Sequence, residues 1–290
     1  MTTAAGYRPT RSHAPLSPVS FGGVLRSEWI KLRSLRSTIW CFVIMAAANV
    51  LLTLLVGATF GSVDVFGTDL TQEQQQAVFM QVVTAGVGLS QLVVAVLGAL
   101  VIAGEFGTGM IRSTMTAVPR RTPALVAKAL VLMLSTFVVS LVSLALSFAI
   151  AIPLLSGSTV SVDLGDAALY GYTAGAAGYL ALIALLAFGF GTIIRNSAGA
   201  IAASIGLILV LPGLVGLLSG LTQAKWAADV GEFLPQNAGQ RLFTYPTAEP
   251  VLAAASDTIT LNAGEGALVL VAWAVVAFVV GAVLIKRRDV

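Results

Sequence analysis

The residues best suited to do chemistry in this chain lie in one polar stretch between two long apolar runs, Gly104-Glu105-Phe106-Gly107-Thr108-Gly109-Met110-Ile111-Arg112-Ser113-Thr114-Met115-Thr116-Ala117-Val118-Pro119-Arg120-Arg121. Glycines with hydroxyls can cradle a phosphate. This stretch lacks the lysine of G-x-x-x-x-G-K-[ST], and that pattern occurs nowhere in the chain, so ATP is not bound here by that means. What a compact acid–Gly–Thr–Arg–Thr order can do is dock a soluble partner and carry force from it into the flanking runs. Glu105 closes the preceding run. Thr108 can cap a short helix over Thr108 to Val118. On it Met110, Ile111, Met115 and Val118 face the membrane or the bundle, while Arg112, Thr116, Arg120 and Arg121 face water or the partner. Pro119 and Pro123 end the segment. A basic loop at an inner membrane surface explains the arginines but not their order with Glu105, Gly107, Thr108 and Thr114.

Other reactive constellations are missing from the sequence. The single Cys41 lies in an apolar run and allows no disulfide framework or thiolate metal site. His13 stands alone in a Pro/Ser-rich tail. The centres of the apolar runs hold no Asp, Glu, Lys, Arg or His. Such groups mark ion and proton pathways, and paired acids, metal ligands or an activated serine would be needed for hydrolysis inside the membrane. The polar groups that remain there are weak. Gly88 and Gln91 in the second run and Ser204 in the fifth are the candidates for lining a route, with Gln91 the best single cavity-facing residue. Gly171 with Gly175, and Gly216 with Gly220, have the small-xxx-small spacing of close helix contacts.

The elements that must position these residues follow from composition. Of 290 residues, 57% are hydrophobic and 10% charged; mean hydropathy is +0.94. A soluble domain carries about 25% charge, so the chain is read as an all-α polytopic membrane protein. Six apolar runs reach the roughly 20 residues a span needs, at about 38–58, 81–103, 124–155, 171–194, 198–219 and 267–285. They are continuous rather than alternating, which favours helices over strands. Pro153 allows a kink in the third. With both termini inside, fourteen of the sixteen Lys and Arg fall on the cytoplasmic side, but only Glu28, Glu105 and Asp289 of the thirteen acids do. The positive-inside rule therefore sets an N-in, C-in topology in the cell membrane, and the net charge of +3 is no nucleic-acid signal.

Residues 1–19 read as a disordered cytoplasmic tail without a signal-peptide core. Residues 20–37 read as an amphipathic helix capped by Ser20 and lying among the lipid headgroups. Phe21, Val24, Leu25, Trp29, Leu32 and Leu35 share its apolar face, with Lys31, Arg33 and the other bases at its boundaries or opposite. Glu28 falls near the middle of that apolar face. It pairs either with Lys31 one turn on or with a base on the bundle or a partner. On the far side, Thr71 and Gln74 have capping-box spacing. The long segment 221–266, broken by Pro235, is expected to form short helices capping the bundle, because Trp226, Phe233, Leu234, Leu242 and Phe243 are costly to leave in water.

Taken together, the interfacial Ser27-Glu28-Trp29-Ile30-Lys31-Leu32-Arg33-Ser34 helix, six spans, the Glu105/Gly107-Thr108/Arg112/Thr114/Arg120 loop and a long outer segment before the last span resemble the ABC-2 type permeases, membrane subunits of ATP-binding-cassette exporters. The resemblance implies that the first cytoplasmic loop carries a coupling helix docking in a separate ATPase subunit, which holds the ATP and Mg. It implies that the second and fifth spans line the translocation route, that a second permease copy or a paralogue completes it, and that this chain carries no catalysis or cofactor of its own. Glu105 and Arg112 would then be hinge or docking residues. The residues alone leave a second reading open, a membrane scaffold or sensor that docks a soluble partner and moves nothing. An ion-coupled carrier is disfavoured by the empty charge record. Cargo and direction of movement are not encoded in any motif.

Overall fold

The computed structural model describes residues 20–62, 70–110, 121–158, 160–247 and 259–287. Helices make up the secondary structure, with no strand among the described residues. A short helix, α1 (Phe21–Ser34), precedes α2 (Arg36–Ser62). The second run is built from α3 (Gln72–Thr84) and α4 (Val87–Gly107), and the third is α5 (Arg121–Leu155). Next come α6 (Ala167–Ile194) and α7 (Ser197–Ile205), a π-turn (Gly206–Val210), and α8 (Leu211–Thr222). Two short helices, α9 (Lys225–Glu232) and α10 (Pro235–Gln240), lead to α11 (Ala263–Arg287). Six stretches are long and apolar enough to cross a membrane, and each contains one of the six runs expected from sequence.

Local chemistry sets several of these ends. Ser20 Oγ accepts from the Gly23 N–H at 3.1 Å and starts α1. Lys31 and Arg33 lie in its last turn, where cations offset the negative end of the helix dipole. Thr71 and Gln74 form the reciprocal capping box that their spacing suggested. Pro153 sits inside α5, which continues only to Leu155. In the fifth span Pro212 supplies no N–H and its ring crowds the carbonyl a turn earlier; the π-turn ending at Val210 widens the helix just ahead of it.

The bundle is organised around α6. It is rich in Ala and Gly and apolar on every side, the pattern of a helix surrounded by others. It packs on α4, α5 and α11, and its central window is 72% buried. Small residues set the spacing. A Cβ at Gly98 would lie 2.2 Å from the Ala184 carbonyl oxygen, so α4 and α6 touch backbone to backbone there. Polar side chains knit the interior: Asn49 Nδ2 donates to Ser143 Oγ at 2.9 Å, and Ser90 Oγ donates to Asn49 Oδ1 at 2.9 Å. These two bonds join α2, α4 and α5, using the buried hydroxyl and amide contacts common between membrane helices. By contrast α2 and the α7–α8 span are only 17% buried in their central windows, leaving Trp40, Leu51, Leu214, Leu217 and Leu221 exposed.

At the end of the bundle opposite α1, α9 and α10 form a cap. Leu234 is buried and Phe243 packs on Tyr179 with ring centroids 5.3 Å apart. The Trp273 indole donates to the Phe233 carbonyl at 3.0 Å. Trp226, however, stays 62% exposed on its surface. Tyr245 tethers the cap's exit to the start of α6 by donating to Asp166 Oδ2 at 2.6 Å. This bond holds the Asp166 carboxyl below the usual carboxylate range and pushes the Tyr245 phenol up to about 12. The signs follow by linkage: the tyrosine's contribution is complete below its ordinary value of 10 and is lost between there and about 12, and the aspartate's is lost only as pH falls below the ordinary carboxylate range. Amide protection factors of residues 240–247, with the intrinsic base-catalysed rate divided out, are therefore expected to be flat across neutral pH and to fall above pH about 10, and Tyr245→Phe should abolish that alkaline step.

Candidate functional site

The polar loop of the second and third spans is flanked by the only buried group of charges among the described residues. Glu28 comes from α1, Glu105 from the last turn of α4 and Lys128 from the second turn of α5. Lys128 Nζ lies 2.5 Å from Glu28 Oε2 and 2.7 Å from Glu105 Oε1. Lys31 Nζ lies 2.8 Å from Glu28 Oε1 and 3.7 Å from Glu105 Oε1. Side-chain exposure is 4% for Glu28, 6% for Glu105 and 8% for Lys128, against 31% for Lys31. Two acids and two bases make the cluster neutral, which is what allows it to be buried. An ion pair of this kind adds little net stability over an apolar equivalent. Its consequence is geometric, because it fixes the register of α1, α4 and α5 where the loop leaves the membrane.

Both expectations for Glu28 are met at once, since one oxygen takes Lys31 and the other Lys128. The buried face of α1 is Val24, Glu28 and Leu32, packed on α5. Trp29 is 48% exposed, with Phe21, Ile30 and Leu35 also exposed. The face toward the bundle and an exposed apolar face are thus adjacent on α1. Arg33 is exposed.

Glu105 is turned into the cluster. Thr108 closes α4: its N–H and Oγ1 both donate to the Gly104 carbonyl at 3.0 Å. Gly107 is exposed, and Gly109, at φ 72°, takes the left-handed turn that glycine accepts without strain. Arg112, Thr114 and Arg120, with the rest of the expected coupling helix to Val118, lie outside the described residues; Arg121 begins α5. The Arg195 guanidinium sits 5.2 Å above the Phe106 ring, joining the end of α6 to the end of α4.

The candidate route residues are placed differently. Gln91 is buried, and its side-chain carbonyl accepts from the Tyr179 hydroxyl. Ser204 is buried and donates to the Ala200 carbonyl at 2.7 Å. The Gln91 contact joins α4 to α6, whereas the Ser204 contact lies within its own helix. Gly88 is exposed, with nothing within 4 Å of where a Cβ would stand. Of the small-xxx-small pairs, Gly175 contacts the Leu242 backbone just after α10, whereas Gly171, Gly216 and Gly220 face open space. Sequence reasoning missed Lys128, Tyr179 and Asn49. The signal for Lys128 is a lysine about one turn inside an apolar run, which needs a buried partner.

A helical bundle with six membrane-crossing stretches, no metal-binding group among the described residues and its buried charges gathered beside one loop defines a multi-pass membrane protein. The chain matches the ABC-2 family transporter protein family over residues 23–290, and it belongs to that family. It is a permease subunit of an ABC transporter, a membrane component associated with an ABC ATPase. No curated protein matches the chain.

Proposed function

We propose that this chain is the permease of an ABC exporter in the cell membrane, with both termini in the cytoplasm and the ATPase on a separate polypeptide that carries ATP and Mg. The observation that supports this most is the buried cluster at the mouth of the 108–121 loop. Glu105 ends the helix that enters the loop, and Lys128 lies on the helix that leaves it, so a push on the loop moves α4, α5 and α1 as one piece. Arg112, Thr114, Arg120 and Arg121 are the docking residues in this reading, and Glu105 positions them through Lys128. Two exposed apolar faces, on α2 and on α7–α8, suit lipid and a second permease copy or paralogue. The route then forms between protomers, with Gly88 nearer to it than Gln91 or Ser204. α1 lies at the inner interface with Trp29 and Ile30 in lipid.

The test is purification of the full chain from its native membrane in mild detergent, with mass spectrometry of what accompanies it. A stoichiometric soluble protein with a Walker A motif is expected. Arg112→Glu should reduce its recovery by about tenfold, the order set by reversing one charge in a desolvated contact, while leaving the thermal melt of the permease unchanged. Wild-type recovery with Arg112→Glu would remove this residue from docking. Absence of any ATPase would favour the scaffold reading instead.

A further inference from the structure

Beside the charge cluster lies a cavity of about 490 Å³, walled by Leu32, Leu100, Val101 and Val131 and reaching Glu105, Lys31 and the start of α2 at Ser37. It is apolar over most of its surface, and Glu105 is one of the residues in its wall. Glu105 Oε2 is buried and has no hydrogen-bond partner among the described residues. A carboxylate oxygen buried unpaired is costly, so this atom is suited to a donor arriving from the cavity. Lys31 Nζ, 3.7 Å from the other oxygen of the same carboxylate, is 31% exposed. It has spent its short contact on Glu28 and keeps donors for an anion. The first amides of α2, following the extended Leu35, add an N-terminal anion site at the same rim.

We propose that this cavity binds the headgroup of a phospholipid bearing a primary ammonium, phosphatidylethanolamine in kind, from the leaflet on the α1 side. The ammonium donates to Glu105 Oε2. The phosphate lies against Lys31 and the α2 N-terminus, and a two-carbon bridge spans the short gap between these sites. The first part of an acyl chain runs over Leu100, Val101 and Val131. A zwitterion leaves the neutral cluster neutral, whereas a lone cation or anion would unbalance it. A choline headgroup carries the same phosphate but has no N–H to give, so it leaves Glu105 Oε2 unpaired. The inference stands apart from ATP coupling, because it needs only the chain in a bilayer.

The full chain, delipidated in mild detergent, is incubated with equal amounts of synthetic phosphatidylethanolamine and phosphatidylcholine of identical acyl chains, and retained lipid is counted by native mass spectrometry. The ethanolamine lipid should be retained about tenfold over the choline lipid, the scale of one charge-assisted hydrogen bond. Glu105→Gln should bring the ratio to near one. Because that change touches the cluster, Gly104→Phe is the decisive second variant: a Cβ at Gly104 meets nothing within 4 Å, and Gly104 lines the cavity. It should fill the space, leave the fold intact and abolish the preference. Equal retention of the two lipids by the wild type, or a preference that survives Gly104→Phe, overturns the proposal.

Discussion

Lys128→Met should lower the stability of the folded chain by about 3–5 kcal/mol, the cost of removing one partner from a buried ion pair. Two carboxylates that now share its ammonium, one at 2.5 Å and one at 2.7 Å, would face each other inside the bundle with only the half-exposed Lys31 nearby. Like charges that close cannot both stay ionised without cost. The measurement is thermal unfolding in detergent followed by tryptophan fluorescence, with Trp29 and Trp40 near the affected end. The size of the loss comes from what is left unpaired, not from the worth of the pair. Combining Lys128→Met with Glu28→Gln and Glu105→Gln should therefore recover most of it. A single variant that melts within about 0.5 kcal/mol of wild type, the range of ordinary surface changes, would mean that the cluster is not buried in the folded protein. The force path proposed for the loop would then lose its rigid start.

The second large effect is expected at Gly98. Alanine there puts its Cβ 2.2 Å from the Ala184 carbonyl oxygen, and 3.2 Å from its Cα. Both are backbone atoms of the central helix and cannot rotate away. α4 must move off α6, which overpacks the most extensive helix contact in the bundle at a cost of about 3 kcal/mol. Gly88, ten residues earlier on the same helix, gives the contrast. Its Cβ would meet nothing, so Gly88→Ala should be neutral or stabilising by up to about 1 kcal/mol through helix propensity alone. Paired melting curves of the two variants check this. Equal melts would show that α4 and α6 do not touch at Gly98. If Gly88→Ala left stability intact but impaired association of two copies, that would agree with its place on an exposed face.

The sequence by itself determined the membrane architecture, because the rule behind it is local. Twenty apolar residues without a charge have one low-energy fate in a bilayer, and the six runs required six crossings. It also determined ends that depend on neighbours in the chain, namely the Ser20 cap and the Thr71–Gln74 capping box. The charge-free centres of the runs disfavoured an ion-coupled carrier, and the order of elements pointed to the family. What only the tertiary structure decided is which faces meet. Glu28 advertised an anomaly, yet its partner Lys128 is 100 residues away and is reached by the rotation of α1 and α5 about their axes. Nothing in the sequence paired Gln91 with Tyr179; only the packing of α6 on α4 brings that hydroxyl to its side-chain carbonyl. Gly88 and Gly98 are chemically identical, and only the crossing of α4 with α6 makes one indispensable and the other open. Hydropathy within a span is nearly uniform around the helix, so it carries depth in the membrane but little about rotation. Rotation is fixed by small residues and buried hydrogen bonds between helices, and these exist only once the helices have met.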